Sequence, residues 1–533
     1  MAKKTLGVMI DCSRNAVMKT EKVKEFAKII SDMGYNMLQL YTEDTYEIEG
    51  EPYFGHMRGR YSKEELKDMD AYCRNIGVEL VPCIQVLAHL NQLTQWDTYT
   101  SLFDCNDILL VGDERVYTLI DKMFATIAEC FTSRRVNIGM DEAHFLGRGR
   151  YFDLHGFRDH AEILAEHMEK VKRIADKYGF SIMMWSDMFF RFFNNGEYFR
   201  RDLCVPQEAI DLVPEGVELI YWDYFGKEKE YYDDMFAAHF KFQNSIGFAG
   251  GGHTWMGFAP NSAFALETTE AALRSIREKQ VNTFFMTLWG DCGKDCSYFS
   301  VLPVLFATAK MWHGNYDKAD IAKQFEETYG YTFQEFMNLE LPNITKEEPT
   351  HYHNPCKYLL YSDPFIGVYD FSVRSDLSER YKRAAETLEK SINGRKYDYI
   401  FTLEKKLLDV LIRKGDLGVR LRKAYQADDR ATLKAILEED FPAIRRDLPL
   451  FYEAFREMWL LENKPFGLEI QEMRFGGMLY RITCCEKRLQ AYLNSELDKI
   501  DELEEKCLAK FQGYEEEAVA QNHWQSAYSA SVM

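Results

Sequence analysis

The sequence predicts an α/β protein: a closed (β/α)8 TIM barrel over residues 1–335, followed by an α-helical C-terminal domain over residues 336–533. Over the first ~315 residues, short apolar runs alternate with longer amphipathic stretches, which is the pattern of repeated βα units. Eight such runs occur, the number in a closed parallel barrel. Beyond about residue 340 the pattern changes to long amphipathic stretches of helical period.

Length and composition agree with two folded domains. A chain of 533 residues is too long for one ordinary core. Hydrophobic residues make up 46% of the chain and charged residues 28%, a balance typical of a globular protein. The net charge of -20 repels a phosphate backbone, so no nucleic-acid partner is expected. No run reaches the ~18 apolar residues of a membrane span, so no membrane partner is expected either.

The predicted strands are short apolar runs, each with a polar or aromatic residue at or after its end. They cover residues 5–10, 37–41, 79–84, 135–140, 181–185, 218–222, 247–251 and 282–289. Amphipathic stretches between them predict helices, among them 21–33, 63–76, 115–130, 159–177 and 297–312. Ser62 and Glu65 have the spacing of a capping box, which predicts the start of the second helix. In the second domain, helices are predicted at 375–393, 397–413, 441–462 and 471–494.

The residues that follow the predicted strands are the candidate site, because the chemistry of a parallel barrel lies at the carboxyl ends of its strands. Carboxylates and tryptophans alternate there. The set is Asp11 and Arg14, Glu43 and Asp44, Gln85 and His89, Asp141 and Glu142, Trp185 and Asp187, Trp222 and Tyr224, His253 and Trp255, and Trp289 and Asp291. Aromatic faces stack on the C–H surface of a sugar, while carboxylates bind hydroxyls and transfer protons. The rim therefore predicts a sugar site, although any one tryptophan could instead be ordinary core.

Four segments at these strand ends resemble glycoside hydrolase family 20, the β-N-acetylhexosaminidases. Residues 137–142 (NIGMDE) are similar to the family's His-x-Gly-Gly-Asp-Glu motif at the fourth strand. Residues 11–14 (DCSR) match its Asp-x-x-Arg after the first strand, and residues 82–89 (PCIQVLAH) its third-strand segment. Residues 288–291 (LWGD) resemble its Trp-Gly-Glu at the eighth. The order of the four makes the signal specific, and the chain resembles a single-barrel member with a helical C-terminal domain.

The resemblance implies an exo-β-N-acetylhexosaminidase that removes terminal β-linked GlcNAc or GalNAc with retention, using the substrate's own acetamido group as nucleophile. Glu142 would be the acid and base, and Asp141 would orient the acetamido group. His89 would link Glu142 to a buried carboxylate, for which Glu43 falls at the family's position and Asp44 is the alternative.

The resemblance also implies a set of substrate-binding residues. Arg14 and Asp291 would bind hydroxyls, and tryptophans would enclose the acetamido methyl group. The full set is Arg14, Trp185, Trp222, Tyr224, Trp255, Trp289 and Asp291. Tyr224 is the best candidate for the tyrosine that donates to the acetamido carbonyl. The implied partner is a small oligosaccharide or glycoconjugate, and no metal or organic cofactor is implied.

The sequence departs from the family pattern at several positions. Asn137 and Met140 replace the motif's histidine and second glycine, and Gln85 and Ala88 replace an aspartate and a glycine in the third-strand segment. The Tyr-x-Asp expected after strand seven is not visible in residues 250–257. Contacts to the outer sugar hydroxyls therefore carry over less directly than the acid-base chemistry.

Other interpretations stay open on the sequence alone. A barrel can keep its pocket after losing its chemistry, which would leave a catalytically inactive sugar-binding protein. A glycosidase acting on O-linked sugars of proteins is a further alternative. The first residues lack the apolar core of a signal peptide, so a cytoplasmic location is expected. The helical domain is expected to support the barrel or form a homodimer; a stretch with Arg474 and Arg481 could also wall the substrate entrance.

Overall fold

Eight parallel strands close into a barrel in the computed structural model, which describes residues 4–345, 353–509 and 523–531. The strands are β1 Thr5–Asp11, β2 Met37–Tyr41, β3 Glu79–Cys83, β4 Arg135–Asn137, β5 Ser181–Trp185, β6 Glu218–Trp222, β7 Ser245–Gly251 and β8 Thr283–Leu288. Each strand pairs with the next in sequence, and β8 pairs with β1. The predicted barrel and its helical C-terminal region are confirmed.

Parallel strands that are covered on both faces have nearly continuous apolar sequences, and the barrel strands follow this rule. Every residue of β1, β2 and β8 is buried. The registers align the strands so that Asp11 faces Tyr41 across β1 and β2, and Cys83 faces Asn137 across β3 and β4. The carboxyl ends of these strands therefore meet at one rim of the barrel.

Several strand bounds differ from the prediction, and the ends of β4 and β8 change where the motif residues lie. β4 ends at Asn137, three residues before the predicted end, because Gly139 and Met140 have φ values of 71° and 68°. Left-handed residues cannot continue a strand. β8 ends at Leu288, so Trp289 lies beyond the strand rather than in it. Both differences move the motif residues out of the strands and into the turns that follow them.

The helices of the barrel region lie between successive strands and after β8. They are Thr20–Met33, Lys63–Asn75, Asp97–Thr100, Glu114–Cys130, Arg150–His155, His160–Lys177, Asp187–Arg191, Gln207–Asp211, Lys229–His239, Ser262–Lys279 and Leu302–Trp312. The predicted capping box is confirmed: the Ser62 hydroxyl accepts from the Glu65 N–H, and the Glu65 carboxylate from the Ser62 N–H. Between β3 and β4, Phe103–Cys105 and Ile108–Leu109 form a two-stranded antiparallel hairpin that the sequence did not predict.

The C-terminal region is helical. Its helices are Lys318–Tyr329, Phe333–Met337, Pro355–Tyr361, Leu377–Glu389, Asp398–Lys414, Leu417–Gln426, Arg430–Ala435, Phe441–Glu462, Leu468–Leu493, Asp501–Glu504 and Trp524–Tyr528. Contacts group the described chain into two units. The first comprises residues 4–252, 265–288 and 304–316, and the second 253–264, 289–303 and the described residues from 317 onward. The predicted division at residue 335 stays a prediction.

The second unit has its own aromatic core. Phe258 lies against Phe451, Phe455 and Phe475 with ring centroids 5.3 to 6.1 Å apart. Edge-to-face and tilted pairs of this kind add to the stabilisation from burial alone. Within the described ranges of the whole chain, no helix has both the length and the apolar character needed to cross a bilayer.

Candidate active site

Strands β2, β3 and β4 bring the predicted catalytic residues of the first unit to one rim of the barrel. Glu43 follows β2, His89 follows β3, and Asp141 and Glu142 follow β4. Nε2 of His89 lies 3.2 Å from Oδ2 of Asp141 and 3.8 Å from Oε2 of Glu142. The ligand atoms of His89, Asp141 and Glu142 all lie within 4.8 Å of one another, close enough that they could also hold a cation. One histidine thus faces two neighbouring carboxylates.

Asp141 is held as a carboxylate. Its side chain is buried, and Nε2 of Gln85 donates to its Oδ1 at 2.8 Å. Burial alone would raise the pKa of Asp141, but the charge of His89 and the donors around the carboxylate lower it below its usual range. Burial likewise opposes the charged form of His89, yet the charge of Asp141 raises the pKa of His89 to about 9. The two residues therefore form a buried ion pair at neutral pH.

Glu142 has the opposite protonation behaviour. Loss of hydration, reinforced by the negative charge of Asp141, raises the pKa of Glu142 to about 7. Its side chain is 42% exposed, so the carboxyl is reachable from solvent although protein surrounds much of it. The residue has a left-handed backbone, with φ at 54°, and its N–H donates to Oδ2 of Asp187 at 3.2 Å. Near neutral pH this carboxyl can both give and take a proton.

Glu43 is buried in a neighbouring polar cluster with Arg14 and Tyr41. Nε of Arg14 lies 3.3 Å from Oε1 of Glu43, and the Tyr41 hydroxyl donates to the same oxygen at 3.1 Å. Burial raises the pKa of Glu43 to about 7, against the lowering effect of Arg14. Arg14 also pairs with Asp11 at 3.0 Å. The arginine is therefore fixed between two carboxylates.

Hydrogen bonds connect the Glu43 cluster to Asp141 through Gln85. Nε2 of Gln85 lies 3.1 Å from the Tyr41 hydroxyl as well as 2.8 Å from Asp141. The ion pair of His89 is with Asp141, so the predicted link from His89 to Glu43 stays a prediction. Asp44, the alternative carboxylate, pairs instead with Arg58 at 3.1 Å.

The aromatic residues predicted after β5 and β6 are buried. Trp185 is 1% exposed and packs against Phe285, with ring centroids 5.9 Å apart. Trp222 and Tyr224 are 9% and 7% exposed, and their centroids are 5.4 Å apart. Phe199 packs edge-on against Trp222 at 5.1 Å. Phe199, Trp222 and Tyr224 thus form part of an aromatic cluster in the first unit.

Trp255, Trp289 and Asp291 belong to the second unit. The Trp255 ring stacks on His253 with centroids 4.5 Å apart. Trp289 is 8% exposed, and its carbonyl accepts from the Thr254 hydroxyl at 2.8 Å. Asp291 is half-buried and begins a short 3-10 turn, Asp291–Gly293. Trp255 and Trp289 thus each contact a residue of the segment that follows β7.

Several residues of the site were not assigned a role from the sequence. Gln85 bonds to Asp141, Tyr41 to Glu43, and Asp187 to the backbone of Glu142. Arg191 in turn donates to Asp187 at 3.0 Å. Gln85 and Asp187 were visible as strand-end residues, but their partners depend on turn conformations that strand periodicity does not predict.

Two family models match this chain. The glycosyl hydrolase family 20 catalytic domain matches residues 6–200, and the glycoside hydrolase 20C C-terminal domain matches residues 333–522. The chain is similar to Hexosaminidase D of Homo sapiens, with 24% identity over 222 residues, which are 40% of this chain and 43% of the relative. Hexosaminidase D of Bos taurus is 23% identical over 220 residues, 40% of this chain and 60% of the relative. Both matches span less than two thirds of the relative.

Solved structures of family 20 enzymes are similar to the chain at low identity. An exo-β-N-acetylglucosaminidase from Vibrio harveyi, in complex with N-acetylglucosamine, has a TM-score of 0.49 and 15% identity, covering 63% of this chain and 58% of that one. A β-N-acetylhexosaminidase from Bacteroides fragilis has a TM-score of 0.46 and 17% identity, covering 61% and 69%. With both domain models matched, the chain belongs to glycoside hydrolase family 20.

Proposed function

We propose that the chain is an exo-β-N-acetylhexosaminidase that removes terminal β-linked GlcNAc or GalNAc by a retaining, substrate-assisted reaction. One observation carries the proposal: the neighbours Asp141 and Glu142 both face Nε2 of His89, at 3.2 and 3.8 Å, and their pKa values are shifted in opposite directions. Carboxyl groups whose surroundings push their pKa values apart divide the roles of charge stabiliser and proton donor. The curated relatives named Hexosaminidase D agree with this activity.

Adjacent residues do not suit a covalent glycosidase pair. That reaction requires two carboxyl groups about 5 Å apart on opposite sides of the sugar, and family 20 is a known exception to it. Here both carboxylates face the same histidine. A nucleophile that the substrate supplies removes the need for a second carboxylate across the ring.

In the proposed first step, Glu142 gives its proton to the glycosidic oxygen as the C–O bond breaks. The carbonyl oxygen of the 2-acetamido group attacks the anomeric carbon and forms an oxazolinium ring. Asp141 accepts the acetamido N–H, and its negative charge stabilises the positive charge on the ring. His89 keeps Asp141 ionised through the buried ion pair.

In the proposed second step, Glu142 takes a proton from water, which attacks the anomeric carbon and opens the ring. The product keeps the original configuration because two inversions have occurred. Arg14 is proposed to bind sugar hydroxyls. The other predicted substrate-binding residues keep their proposed roles: Trp185, Trp222, Tyr224, Trp255, Trp289 and Asp291.

A panel of chromogenic glycosides tests the proposal. We expect hydrolysis of nitrophenyl β-GlcNAc or its galacto epimer, and no comparable hydrolysis of nitrophenyl β-glucoside, which lacks the acetamido group. Comparable hydrolysis of the plain glucoside would contradict substrate assistance. Binding of GlcNAc without turnover of any glycoside would indicate a sugar-binding protein instead. Activity on glycoproteins but not oligosaccharides would indicate the O-linked alternative.

A further inference from the structure

The turn that carries Asp141 and Glu142 has an unusual backbone. Gly139, Met140 and Glu142 all have positive φ values, of 71°, 68° and 54°. The left-handed region is sparsely populated by residues other than glycine, and such residues persist only where neighbouring groups hold them. Glu142 in particular needs an external partner, because the strand before it has ended at Asn137.

Asp187 supplies that partner. It opens the short helix Asp187–Arg191 after β5, and its side chain is fully buried. Oδ2 of Asp187 accepts the Glu142 N–H at 3.2 Å. Its other oxygen, Oδ1, is buried and has no hydrogen-bond partner among the described residues. In an exposed turn, water would accept the Glu142 N–H. A buried carboxylate in place of water indicates that the backbone of Glu142 is held in a specific position.

Arg191 fixes Asp187 in place. Its Nε donates to Oδ2 of Asp187 at 3.0 Å, and its Nη1 donates to the Gly196 carbonyl at 2.9 Å. The guanidinium also lies over the Tyr198 ring, 5.5 Å from the centroid. A planar guanidinium held by an anion, a carbonyl and an aromatic face has little freedom to move. Oδ2 of Asp187 is therefore a rigid acceptor for the backbone of Glu142.

The two carboxylates of the site are thus held by different means. Asp141 is held through its side chain, by Gln85 and His89. Glu142 is held through its backbone, by Asp187. A side chain that must give a proton and later take one back gains from an anchor that leaves its carboxyl free.

We propose that Asp187 is a positioning residue that places Glu142 for proton transfer to the leaving group, with Arg191 as the clamp. This inference rests on the proposed function, in which Glu142 is the acid. It assigns Asp187 no contact with the sugar. A displacement of about 1 Å in a catalytic group can cost a factor of about 100 in rate, so loss of this anchor is measurable.

A leaving-group series separates positioning of the acid from a general structural role. Dinitrophenolate leaves without a proton, whereas methoxyphenolate needs one. For Asp187→Ala we expect kcat/KM on methoxyphenyl β-GlcNAc to fall about 10- to 100-fold, a part of the usual contribution of a general acid. On dinitrophenyl β-GlcNAc we expect a change of less than about 3-fold, since no proton is required. KM should change little on either substrate.

Two further variants make the test specific. Asp187→Asn keeps an oxygen acceptor for the Glu142 N–H, so it should restore most of the lost rate on the methoxyphenyl substrate. Asp70→Ala is the matched control: Asp70 is also buried and accepts a backbone N–H, that of Thr132 at 3.0 Å, but it lies in the helix Lys63–Asn75. It should show no dependence on the leaving group.

The outcomes distinguish this inference from the proposed function. An equal loss on both substrates for Asp187→Ala, with an active wild type, would overturn the positioning role and leave the activity in place. A wild type that hydrolyses plain glucosides just as well would contradict the proposed function; the series would then be run on glucosides, where it tests Asp187 in the same way. A wild type inactive on every glycoside would overturn both.

Discussion

The imidazole of His89 and the carboxylate of Asp141 form a buried ion pair, with Nε2 3.2 Å from Oδ2. Burial and the negative charge of Asp141 raise the pKa of the neighbouring Glu142, whose carboxyl lies 3.8 Å from the same nitrogen. The two adjacent acids thus differ in protonation state although the same histidine faces both. The first three predictions test this division of roles.

Glu142→Gln should abolish proton donation without removing the binding site. We expect turnover of methoxyphenyl β-GlcNAc to fall by a factor of about 100 to 10,000, the usual worth of a positioned acid or base. With dinitrophenyl β-GlcNAc the first step should survive while attack by water slows, so stopped-flow kinetics should show a burst of dinitrophenolate before a slow steady state. Equal losses on both substrates, or wild-type rates on both, would place the acid elsewhere.

Asp141→Asn should act on the acetamido group rather than on the leaving group. The amide has the same shape but no charge, so the oxazolinium ion loses its counter-ion. We expect turnover to fall about 100- to 1,000-fold, the range seen when one group that stabilises developing charge is removed. The loss should be the same for both aryl leaving groups, as measured by kcat/KM. A loss confined to the poorer leaving group would assign Asp141 to proton transfer.

The pH dependence of kcat/KM follows from the shifted pKa values of Asp141 and Glu142. Glu142 is active as an acid below its pKa of about 7, so kcat/KM should fall as the pH rises through that value. Asp141 must be ionised, and its pKa is lowered. Protonation of Asp141 should therefore reduce kcat/KM only in strongly acidic solution. His89→Asn removes a positive charge that lowers both pKa values, and asparagine tolerates the left-handed φ of 59°.

Both limbs of the profile should therefore move to higher pH in His89→Asn. For the acidic limb we expect a displacement of about 1 to 3 pH units, the usual effect of losing an adjacent opposite charge. Replacement of the exposed His313 by asparagine is the control and should leave the profile unchanged. Limbs that stay in place, or move to lower pH, would show that His89 does not set these pKa values.

The barrel and its rim could be predicted from the sequence because they follow from simple periodicities. Strands such as Ser181–Trp185 and Glu218–Trp222 have the predicted bounds, since they are uninterrupted apolar runs with a charged or polar residue at the start. The helix Phe441–Glu462 also has its predicted bounds, although it contains Pro449. Amphipathic packing outweighed the local cost of that proline.

The internal contacts of the site could not be predicted in the same way. Gln85 reaches Asp141 only because Gly139 and Met140 turn the chain out of β4 in a left-handed conformation. The contact from Asp187 uses the backbone of Glu142, which no side-chain pattern reveals. Strand periodicity indicates which residues reach the rim, whereas turn dihedrals decide which of them touch.

Gly139→Ala should test that turn directly. A Cβ at Gly139 would overlap with Oε1 of Gln85, which accepts the Met140 N–H at 3.1 Å. We expect a loss of about 2 to 4 kcal/mol in the free energy of unfolding, from backbone strain together with the broken hydrogen bonds. Turnover should fall about 10-fold or more, because Gln85 also holds Asp141.

Gly179→Ala is the matched control for this substitution. Gly179 has nearly the same φ, 73° against 71°, but a Cβ there would meet nothing within 4 Å. We expect a loss of about 1 kcal/mol from the left-handed backbone alone, with unchanged turnover. Denaturant titration and kcat/KM give the comparison. Equal destabilisation by the two substitutions would mean that Gln85 moves aside without cost.

Glu404 in the second unit predicts a pH-dependent stability. It lies in the helix Asp398–Lys414 and is 1% exposed, and its Oε2 has no hydrogen-bond partner among the described residues. Burial raises the pKa of Glu404 well above its usual range, so the folded chain keeps this proton at pH values where an exposed glutamate has lost it. The unfolded chain releases the proton above about pH 4.5, since an exposed glutamate titrates there.

The sign of the effect follows from which state holds the proton. Above about pH 4.5 the folded state binds more protons than the unfolded state, so stability falls as the pH rises, by up to about 1.4 kcal/mol per unit. Glu404→Gln removes this dependence, so its stability relative to wild type should increase between pH 5 and pH 8 in urea titrations. Glu438→Gln, at a position 62% exposed, is the control and should show no such trend. A constant difference between Glu404→Gln and wild type across this range would mean that Glu404 is ionised in the folded chain, with a counter-charge that stabilises it.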